Sequence, residues 1–361
     1  MLNSVIDNLK DTMEPQKLPN GFHLLRVGQV RALTEDAIQI IFEIPDHLKS
    51  LFLFRPGQHI DIIVEYEGEK LYRSYSICSG GDEPLSIGVK SMAGGKISNW
   101  LKDTVKKGTS LVISEPRGSF ILDPAAKKIV LIGAGSGITP LLSMLKHAYK
   151  SSQIPILIYG NKTASSIMFI EDIAIYNSKK VYHFLSAEQK DGTFYGRINS
   201  DNLSELFKKD VSILQADAYY LCGPEEMIAD ISSFLINSGV KSTKIHFELF
   251  SAPTNISKIE TNEEISYSGF CKVLIQFEGD KYSLETNAES KTLLELAIKA
   301  GIDAPFSCKT GVCGSCRAKV NFGSAVMKSN YALTDEEVTN GYILTCQAIP
   351  ASSELVISYD D

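Results

Sequence analysis

The stretch Cys308-Lys-Thr-Gly-Val-Cys313-Gly-Ser-Cys316 arranges three cysteines as C-x4-C-x2-C, and a fourth, Cys346, follows after 29 residues. Gly311 and Gly314 let the backbone wrap closely around the sulfur atoms, and the small Ser315 leaves room for them. Backbone N–H groups of such a loop can point at thiolates and stabilise their negative charge. The pattern therefore predicts a compact metal-binding loop, which decides how the C-terminal part of the chain folds.

The spacing of these cysteines is that of a plant-type [2Fe–2S] site, so we expect all four thiolates to be iron ligands. A structural zinc site is one alternative. Such sites usually pair two C-x2-C knuckles, whereas the second half here is a single cysteine. Buried, unreactive cysteines are a second alternative, which four cysteines at this spacing disfavour. The predicted ligands are Cys308, Cys313, Cys316 and Cys346.

Composition narrows the class of protein. The chain has 361 residues, 44% of them hydrophobic and 22% charged, which predicts a globular protein of two or three domains. The net charge of −7 predicts no nucleic-acid binding. We expect no membrane span, no secretory signal and a cytoplasmic location. Residues 269–361 carry 8 Lys and Arg against 12 Asp and Glu, which suits either a basic partner or solubility alone.

The pattern of apolar and turn residues predicts a multidomain chain. Residues 22–124 contain short alternating strands broken by Gly and Pro, typical of an antiparallel β-barrel. Residues 125–250 alternate apolar strands with helices, which predicts a parallel α/β sheet. Residues 251–268 are polar and aperiodic, and they are interpreted as a linker spanning about 23 Å. Residues 269–361 form an α+β unit, and the N-terminal extension before residue 22 has no assigned role.

Local signals predict several elements. The segment His59–Tyr66 alternates in polarity, as a half-buried strand does. Glu67-Gly68-Glu69 is then a hairpin turn, and Lys70–Cys78 is the return strand. In the C-terminal unit we expect Ser290 to cap a helix and Gly301 to end it.

Two further motifs suit nucleotide cofactors in the barrel. Arg73-Ser-Tyr-Ser76 offers a cation for a pyrophosphate, a ring for a flavin, and a hydroxyl near the reactive flavin N5. Alternation places Ser76 on the opposite face from Arg73 and Tyr75, so some local twist is required. Gly94-Gly-Lys-Ile-Ser-Asn99 opens a predicted helix whose N–H groups can bind a phosphate. Taken alone, R-x-Y-S is better interpreted as an exposed Arg beside a core Tyr.

A third motif lies in the α/β unit. Gly133-Ala-Gly-Ser-Gly-Ile-Thr-Pro140 joins an apolar strand to a helix, where glycines allow a phosphate to approach closely. The pattern is G-x-G-x-G rather than G-x-G-x-x-G, which argues against an ordinary dehydrogenase. Leu221–Met227 ends a later strand, and Cys222 within it is interpreted either as a functional thiol or as a buried, inert one.

Together these motifs resemble the ferredoxin–NADP⁺ reductase family over about residues 22–250, and the C-terminal unit resembles the β-grasp ferredoxins over residues 270–361. The resemblance implies FAD, NAD(P)H and a [2Fe–2S] cluster as cofactors. It implies that Ser76 and Glu248 lie at the reacting edge of the flavin, that Cys222 lies close to the nicotinamide, and that Phe250 covers one flavin face. The implied cofactor-binding residues are Arg73, Ser74, Tyr75, Ser76, Lys90, Lys96, Ile97, Ser98, Ser136, Phe250, Gly133, Gly135, Gly137, Lys162, Gly223 and Pro224.

The choice between NADPH and NADH rests on few residues. An acidic residue at the end of the second parallel strand would select NADH through the ribose hydroxyls. Lys162 stands there instead and could attract a 2′-phosphate. Against this, plant reductases carry an Arg after a Ser in the following strand, and here Ser186 precedes Ala187. We expect NADPH, with NADH left open.

The order of these units implies electron flow from NADPH through FAD and the cluster to an external acceptor. The stretch Asn330–Pro350 resembles the reductase subunits of phenylacetyl-CoA epoxidase, which implies a role in phenylacetate catabolism. Related reductases of steroid and aromatic hydroxylases share much of it. The chain has no Glu-x-x-His diiron motif, so the oxygenase would be a separate protein. The alternatives are a reductase for another oxygenase, a general flavin or dye reductase, and a redox sensor, which would need a further DNA-binding or signalling domain.

Overall fold

The computed structural model describes residues 18–176, 180–250, 267, 269–287 and 291–360. The first unit is an antiparallel sheet with strand order β4-β3-β6-β1-β2-β5. A bridge between Ile77 and Ile87 joins its two edges, so the sheet curls into a barrel. Its elements are β1 (Phe22–Thr34), β2 (Ala37–Glu43), β3 (His59–Tyr66), β4 (Glu69–Ser76), β5 (Ser86–Lys90), β6 (Ser110–Ser114) and helix α1 (Lys96–Thr104).

The second unit is built on a sheet in which all paired strands run parallel, in the order β10-β9-β8-β7-β11-β12. Its central strands are continuous apolar runs because helices cover both faces. The strands are β7 (Lys128–Ala134), β8 (Ile154–Asn161), β9 (Val181–Leu185), β10 (Phe194–Tyr195), β11 (Ala218–Cys222) and β12 (Ile245–Glu248). The helices are α2 (Ile138–Lys150), α3 (Ile170–Ala174), α4 (Ser200–Lys209) and α5 (Glu225–Asn237).

The C-terminal unit has a five-stranded sheet of order β14-β13-β19-β15-β17 and a separate pair, β16 with β18. Helix α6 buries Leu293, Leu294 and Ala297 in the core of this unit. The strands are β13 (Phe270–Phe277), β14 (Asp280–Asn287), β15 (Arg317–Phe322), β16 (Ala325–Met327), β17 (Tyr342–Leu344), β18 (Ala348–Pro350) and β19 (Glu354–Ser358). The helices are α6 (Leu293–Lys299) and α7 (Asp335–Thr339).

Most local expectations agree with these elements. Glu67 and Gly68 both adopt positive φ, 52° and 79°, as the central residues of a tight hairpin require. Gly301 follows helix α6 with a φ of 75°. The predicted cap of that helix is wrong: Ser290 lies outside the described residues, and Thr292 is the N-cap, in a capping box with Glu295.

Two element boundaries also differ from the predictions. The return strand of the first hairpin stops at Ser76 rather than Cys78. Helix α2 begins at Ile138, two residues before Pro140, because a single 3₁₀ turn, Gly135–Gly137, leads directly into it. The predicted linker lies outside the described residues except for Tyr267. Nowhere in the described part of the chain does a helix reach the length and apolarity needed to cross a membrane.

The C-terminal unit lies against the barrel. The ring Nε2 of His59 is 3.1 Å from the carbonyl oxygen of Cys313, and Lys70 forms an ion pair of 3.4 Å with Asp303. The cysteine loop therefore faces the barrel strands that carry the predicted flavin motif.

Candidate functional site

The cysteine loop is organised by hydrogen bonds to sulfur. Backbone N–H groups of Thr310, Val312 and Cys313 each lie 3.4 Å from the Cys308 sulfur, and the Ser315 hydroxyl donates to the Cys313 sulfur at 3.2 Å. These donors stabilise thiolate charge, so the loop suits metal-bound sulfur.

Positive φ angles make this loop possible. Gly311 and Gly314 have φ of 80° and 71°, and a Cβ on Gly311 would lie 3.0 Å from the Ser329 carbonyl oxygen. Hydrogen bonding with the Cys313 side chain lowers the pKa of Cys308 to about 5. The loop therefore favours at least one thiolate at neutral pH before any metal is considered.

The four thiols interact as two pairs, Cys308 with Cys313 and Cys316 with Cys346. Over the described residues, no three or more His, Cys, Asp or Glu side chains are arranged to hold one metal ion. Two pairs of thiolates fit a cluster of two irons, which takes two protein sulfurs on each iron. Cys313, Cys316 and Cys346 are buried, whereas Cys308 is partly exposed.

A second site forms where the barrel meets the parallel sheet. The Ser76 hydroxyl, at the end of β4, donates to Glu248 Oε2 at 2.9 Å. The Cys222 sulfur lies 4.0 Å from the same oxygen, because Cys222 and Glu248 are partners in the parallel strands β11 and β12. Ser76 and Cys222, which are distant in sequence, therefore converge on the Glu248 carboxylate.

The pKa values of Glu248 and Cys222 are both shifted in this site. Burial raises the pKa of Glu248 to about 8, although the hydrogen bond from Ser76 opposes the shift. Burial and the neighbouring Glu248 carboxylate raise the pKa of the Cys222 thiol well above its usual value. At neutral pH the site therefore holds a protonated thiol and a carboxyl group that is mostly protonated.

The other predicted barrel residues lie around this site. Tyr75 packs against the barrel core, and burial raises the pKa of its hydroxyl. The Arg73 guanidinium donates to the Tyr72 carbonyl at 2.7 Å, and the Ser74 hydroxyl donates to Asp61 at 2.5 Å.

The predicted lysines of the barrel are paired with carboxylates. Lys90 lies 3.4 Å from Asp36, and Lys96 lies 3.8 Å from Glu67. Lys96 begins helix α1, with Ile97 buried and the Ser98 hydroxyl close to Gly95. Gly95 has no side chain to cap this helix, so the first N–H groups of α1 suit a phosphate.

The glycine-rich loop of the parallel sheet is tightly packed. A Cβ on Gly137 would lie 2.1 Å from the Cys222 carbonyl oxygen, and one on Gly133 would lie 2.6 Å from Leu141. Gly135 has a φ of 55°, and the carbonyl of Ser136 accepts a hydrogen bond from Thr139 at 3.0 Å. Helix α2 has no side-chain cap, so its N-terminus suits the anion of a nucleotide.

The predicted residues after β11 flank this loop. A Cβ on Gly223 would lie 2.6 Å from Met227 Cε and 3.3 Å from the Ala134 nitrogen. Pro224 is the N-cap of helix α5, and Glu225 takes the first helical position. A side chain at position 223 would therefore displace the end of the Met227 side chain and press on the backbone at Ala134.

The residues predicted to select the nucleotide lie at the ends of β8 and β9. Lys162 is exposed, and its carbonyl accepts a hydrogen bond from the Ala187 N–H at 2.9 Å. The carboxylate of Glu188 accepts from the Ala164 N–H at 2.7 Å, so an acidic group lies near this edge too. Phe250, 49% exposed, follows β12 and leaves its ring available for stacking.

Sequence reasoning missed the groups that join the two sites. His59 lies between the barrel and the cysteine loop, and together with Phe247, Val312 and Tyr331 it lines a small cavity of about 20 Å³. The signal was present in β3: His59 and Asp61 are polar residues on the outward face of a strand whose inward face is apolar. Nothing in the sequence indicated what would cover them.

Comparison with known proteins identifies each unit. Residues 25–121 match the family model of the oxidoreductase FAD-binding domain, and residues 131–233 match that of the oxidoreductase NAD-binding domain. Residues 275–351 match the 2Fe-2S iron-sulfur cluster binding domain. The chain is therefore an oxidoreductase that uses FAD, a pyridine nucleotide and a [2Fe–2S] cluster.

Similarity also extends over the whole chain. A component protein of the 1,2-phenylacetyl-CoA epoxidase from Escherichia coli (strain K12) is 34% identical over 352 residues, which cover 94% of this chain and 98% of that protein. The ferredoxin reductase component of 3-ketosteroid-9-alpha-monooxygenase from Rhodococcus rhodochrous is 29% identical, covering 96% and 100%.

A solved structure shows the same arrangement. Phthalate dioxygenase reductase, described as a modular structure for electron transfer from pyridine nucleotides to [2Fe–2S], is 25% identical with a TM-score of 0.59, covering 94% of this chain and 98% of that one. The expected combination of antiparallel barrel, parallel sheet and ferredoxin unit is confirmed. The chain therefore belongs to the ferredoxin–NADP⁺ reductase family, in the group whose members carry a C-terminal plant-type [2Fe–2S] ferredoxin domain.

Proposed function

We propose that this chain is the reductase component of an oxygenase system and passes electrons from NADPH through FAD and the [2Fe–2S] cluster to a separate diiron phenylacetyl-CoA epoxidase. The observation that carries the proposal is the 34% identity with the Escherichia coli epoxidase component across nearly the whole of both chains. Identity with the steroid monooxygenase reductase is lower, at 29%. The sequence resemblance of Asn330–Pro350, which includes Cys346, supports the same assignment.

When bound, FAD accepts two electrons from a nicotinamide nucleotide and releases them singly to one-electron carriers. Arg73 and the N-terminus of α1 would hold its pyrophosphate, and Tyr75 and Phe250 would pack against its rings. Ser76 and Glu248 would lie at its reacting edge, and Cys222 would lie close to the nicotinamide. Because Glu248 has a pKa of about 8, it can hold a proton beside the Ser76 hydroxyl at neutral pH.

The parallel sheet positions the nucleotide. The glycine-rich loop at Gly133, Gly135 and Gly137 receives its phosphates at the N-terminus of α2, and Gly223 and Pro224 border the nicotinamide. Lys162 is exposed at the sheet edge and attracts the 2′-phosphate of NADPH. The Glu188 carboxylate lies near the same edge. It would favour NADH, whereas Lys162 favours NADPH, and we propose that the effect of Lys162 is the larger.

The ferredoxin unit carries the one-electron step. Cys308, Cys313, Cys316 and Cys346 are the proposed ligands, and N–H donors to the Cys308 sulfur stabilise the negative charge of the cluster. The acidic surplus of residues 269–361 suits an acceptor with a basic docking face.

The direct test is reconstitution with the organism's own candidate diiron oxygenase, NADPH, oxygen and phenylacetyl-CoA. We expect an epoxide or its derived product, formed in proportion to NADPH consumed. The Cys313→Ser variant is the matched control, because it should reduce dyes without supporting product formation. The epoxidase assignment is wrong if no product forms while another hydroxylase of the same organism is driven efficiently.

A second candidate is a reductase for a steroid- or ring-hydroxylating oxygenase. The full-length similarity to the 3-ketosteroid-9-alpha-monooxygenase reductase component favours it. Replacing the oxygenase and substrate in the same assay separates the two assignments, because electron delivery depends on which partner docks.

A further inference from the structure

The outward face of the barrel hairpin is buried at its His59 end, although this face does not point into the barrel core. Ile60 and Ile62 point into the barrel, so His59 and Asp61, which alternate with them, point outward. His59 is nevertheless only 6% exposed and Asp61 is fully buried. The ferredoxin unit lies against this face, as the contact between His59 and Cys313 demonstrates.

The His59 ring is held in one orientation. Its backbone exchanges two hydrogen bonds of 2.9 Å with Arg117, and a Cβ on Gly118 would lie 2.7 Å from the ring Nδ1. Nε2 lies 3.1 Å from the carbonyl oxygen of Cys313. A carbonyl oxygen only accepts, so Nε2 donates this hydrogen bond.

The strand pairing connects this contact to the flavin edge. His59 of β3 is the direct partner of Ser76 in β4, and the Ser76 hydroxyl donates to Glu248. On the other side of His59, Val312 packs against the core of the parallel-sheet unit. Val312 and Glu248 line the same cavity, so the 312–313 segment faces the predicted flavin site directly.

We propose that His59 is a positioning residue that fixes the Cys313 edge of the cluster loop against the flavin-binding hairpin, so that electrons enter the cluster on the Cys313 side. This inference rests on the proposed assignment of FAD and the cluster to these sites. In the step concerned, one electron leaves the reduced flavin and one is gained by the oxidised cluster, and no covalent bond forms or breaks. Cys308, in contrast to Cys313, is partly exposed.

The test compares His59→Ala, His59→Gln and Lys70→Met in protein loaded with FAD and cluster. Glutamine keeps a side-chain N–H donor. Lys70→Met is the matched control, since it removes the ion pair with Asp303 from the same interface without touching the cluster loop. Two readouts are needed: hydrogen–deuterium exchange of residues 305–316 in the oxidised protein, and stopped-flow rates of flavin and cluster reduction after mixing with NADPH.

We expect His59→Ala to raise exchange in residues 305–316, because an unpaired buried carbonyl destabilises the docked loop. We expect cluster reduction to slow by about tenfold, because the loop is then less often held against the flavin-binding hairpin. The rate of flavin reduction should change by less than about twofold, since this step comes before electron transfer to the cluster and does not depend on the His59 contact. His59→Gln should recover most of the cluster rate and of the protection from exchange. Lys70→Met should leave the cluster rate unchanged.

The inference is overturned if His59→Ala reduces its cluster at the native rate, if its loop exchanges as in the native protein, or if Lys70→Met slows the cluster equally. Failure of the proposed function looks different: the native protein would then transfer electrons internally but give no product with the epoxidase. Absence of FAD or iron from the purified native protein would instead remove the assignment on which both depend.

Discussion

The cluster loop and the flavin–nicotinamide cleft are built in opposite ways. Three of the four proposed cluster ligands fall within nine residues, and backbone N–H groups of the same loop surround one of their sulfurs. The cleft is assembled by Ser76 and Glu248, which are 172 residues apart, and by Cys222 from a third segment. A substitution in a local site can abolish its function without disturbing the rest of the fold. An assembled site also depends on how two domains pack together. The two sites should therefore respond differently to single substitutions.

The largest effect should come from the local site. Changing Cys313 to Ser should abolish reduction of one-electron protein acceptors, because a cluster ligand is lost. NADPH-to-dye activity should survive, since it needs only the first two domains. Steady-state assays with a protein acceptor and a dye separate the two activities. Cys271→Ser, which alters a buried cysteine outside the loop, is the control, and equal loss of both activities in a folded, FAD-loaded Cys313→Ser protein would contradict the order of electron flow.

The assembled site should show itself in the pH dependence of stability. The pKa of Glu248 is raised from 4.5 to about 8 in the folded chain, so the folded state binds more protons than the unfolded state between these values. Stability should therefore fall as the pH rises from about 5 to 8, by at most about 1.4 kcal/mol per pH unit. Glu248→Gln should flatten this slope.

Thermal unfolding of the FAD-loaded protein, followed by the release of flavin fluorescence at pH 5, 6, 7 and 8, measures that slope. Glu226→Gln, which changes an exposed carboxylate of helix α5, should leave it as in the native protein. Identical slopes in all three proteins would mean that Glu248 does not remain protonated in the folded cleft.

A third prediction concerns the packing between the nucleotide loop and β11. Gly137→Ala places a methyl group 2.1 Å from the Cys222 carbonyl oxygen, so the backbone must shift. We expect a loss of about 1–3 kcal/mol in unfolding free energy together with weaker NADPH binding. Denaturant titration and NADPH titration measure these. Gly81→Ala is the control, because a Cβ at Gly81 has no atom within 4 Å, and it should change neither quantity. A Gly137→Ala protein with native stability and native NADPH affinity would show that Gly137 and Cys222 are not so closely packed.

The smallest effect is expected at the exposed sheet edge. Lys162→Ala should lower the ratio of kcat/KM for NADPH to that for NADH by about tenfold, because an exposed charge-assisted contact is worth about 1.5 kcal/mol. The preference should decrease without reversing. Lys241→Ala, an exposed lysine in another loop, should leave the ratio unchanged. A native protein that prefers NADH would overturn the assignment of NADPH itself.

The sequence was informative where the physics is local. Hairpin turns, the glycine after α6 and the cysteine loop depend on neighbours within a few residues, so their residue types predict their geometry. The helix cap was misplaced by two residues because Ser290 and Thr292 both suit an N-cap, and only Thr292 has a glutamate three residues later to complete the capping box.

Contacts between residues that are distant in the chain could not be predicted from the sequence. The resemblance to known reductases named Ser76, Cys222 and Glu248, but no spacing in the chain predicts that they share one carboxylate oxygen. Likewise, His59 was an unremarked polar residue at a strand end, since its burial is created by a domain more than 200 residues away. Docking of one domain on another depends on surfaces that no local pattern encodes.

The two ends of the described chain lie side by side. The Asn20 side-chain amide donates to the Asp360 carbonyl at 2.8 Å, and the Asp360 carboxylate accepts from the backbone N–H groups of Glu278 and Gly279 at 2.7 and 3.0 Å. The barrel and the ferredoxin unit therefore also meet at the two ends of the described chain. A circularly permuted gene that omits residues 1–17 and 361 could join residues 18 and 360 by a short connection and start within residues 251–266, because Asn20 and Asp360 are already in contact.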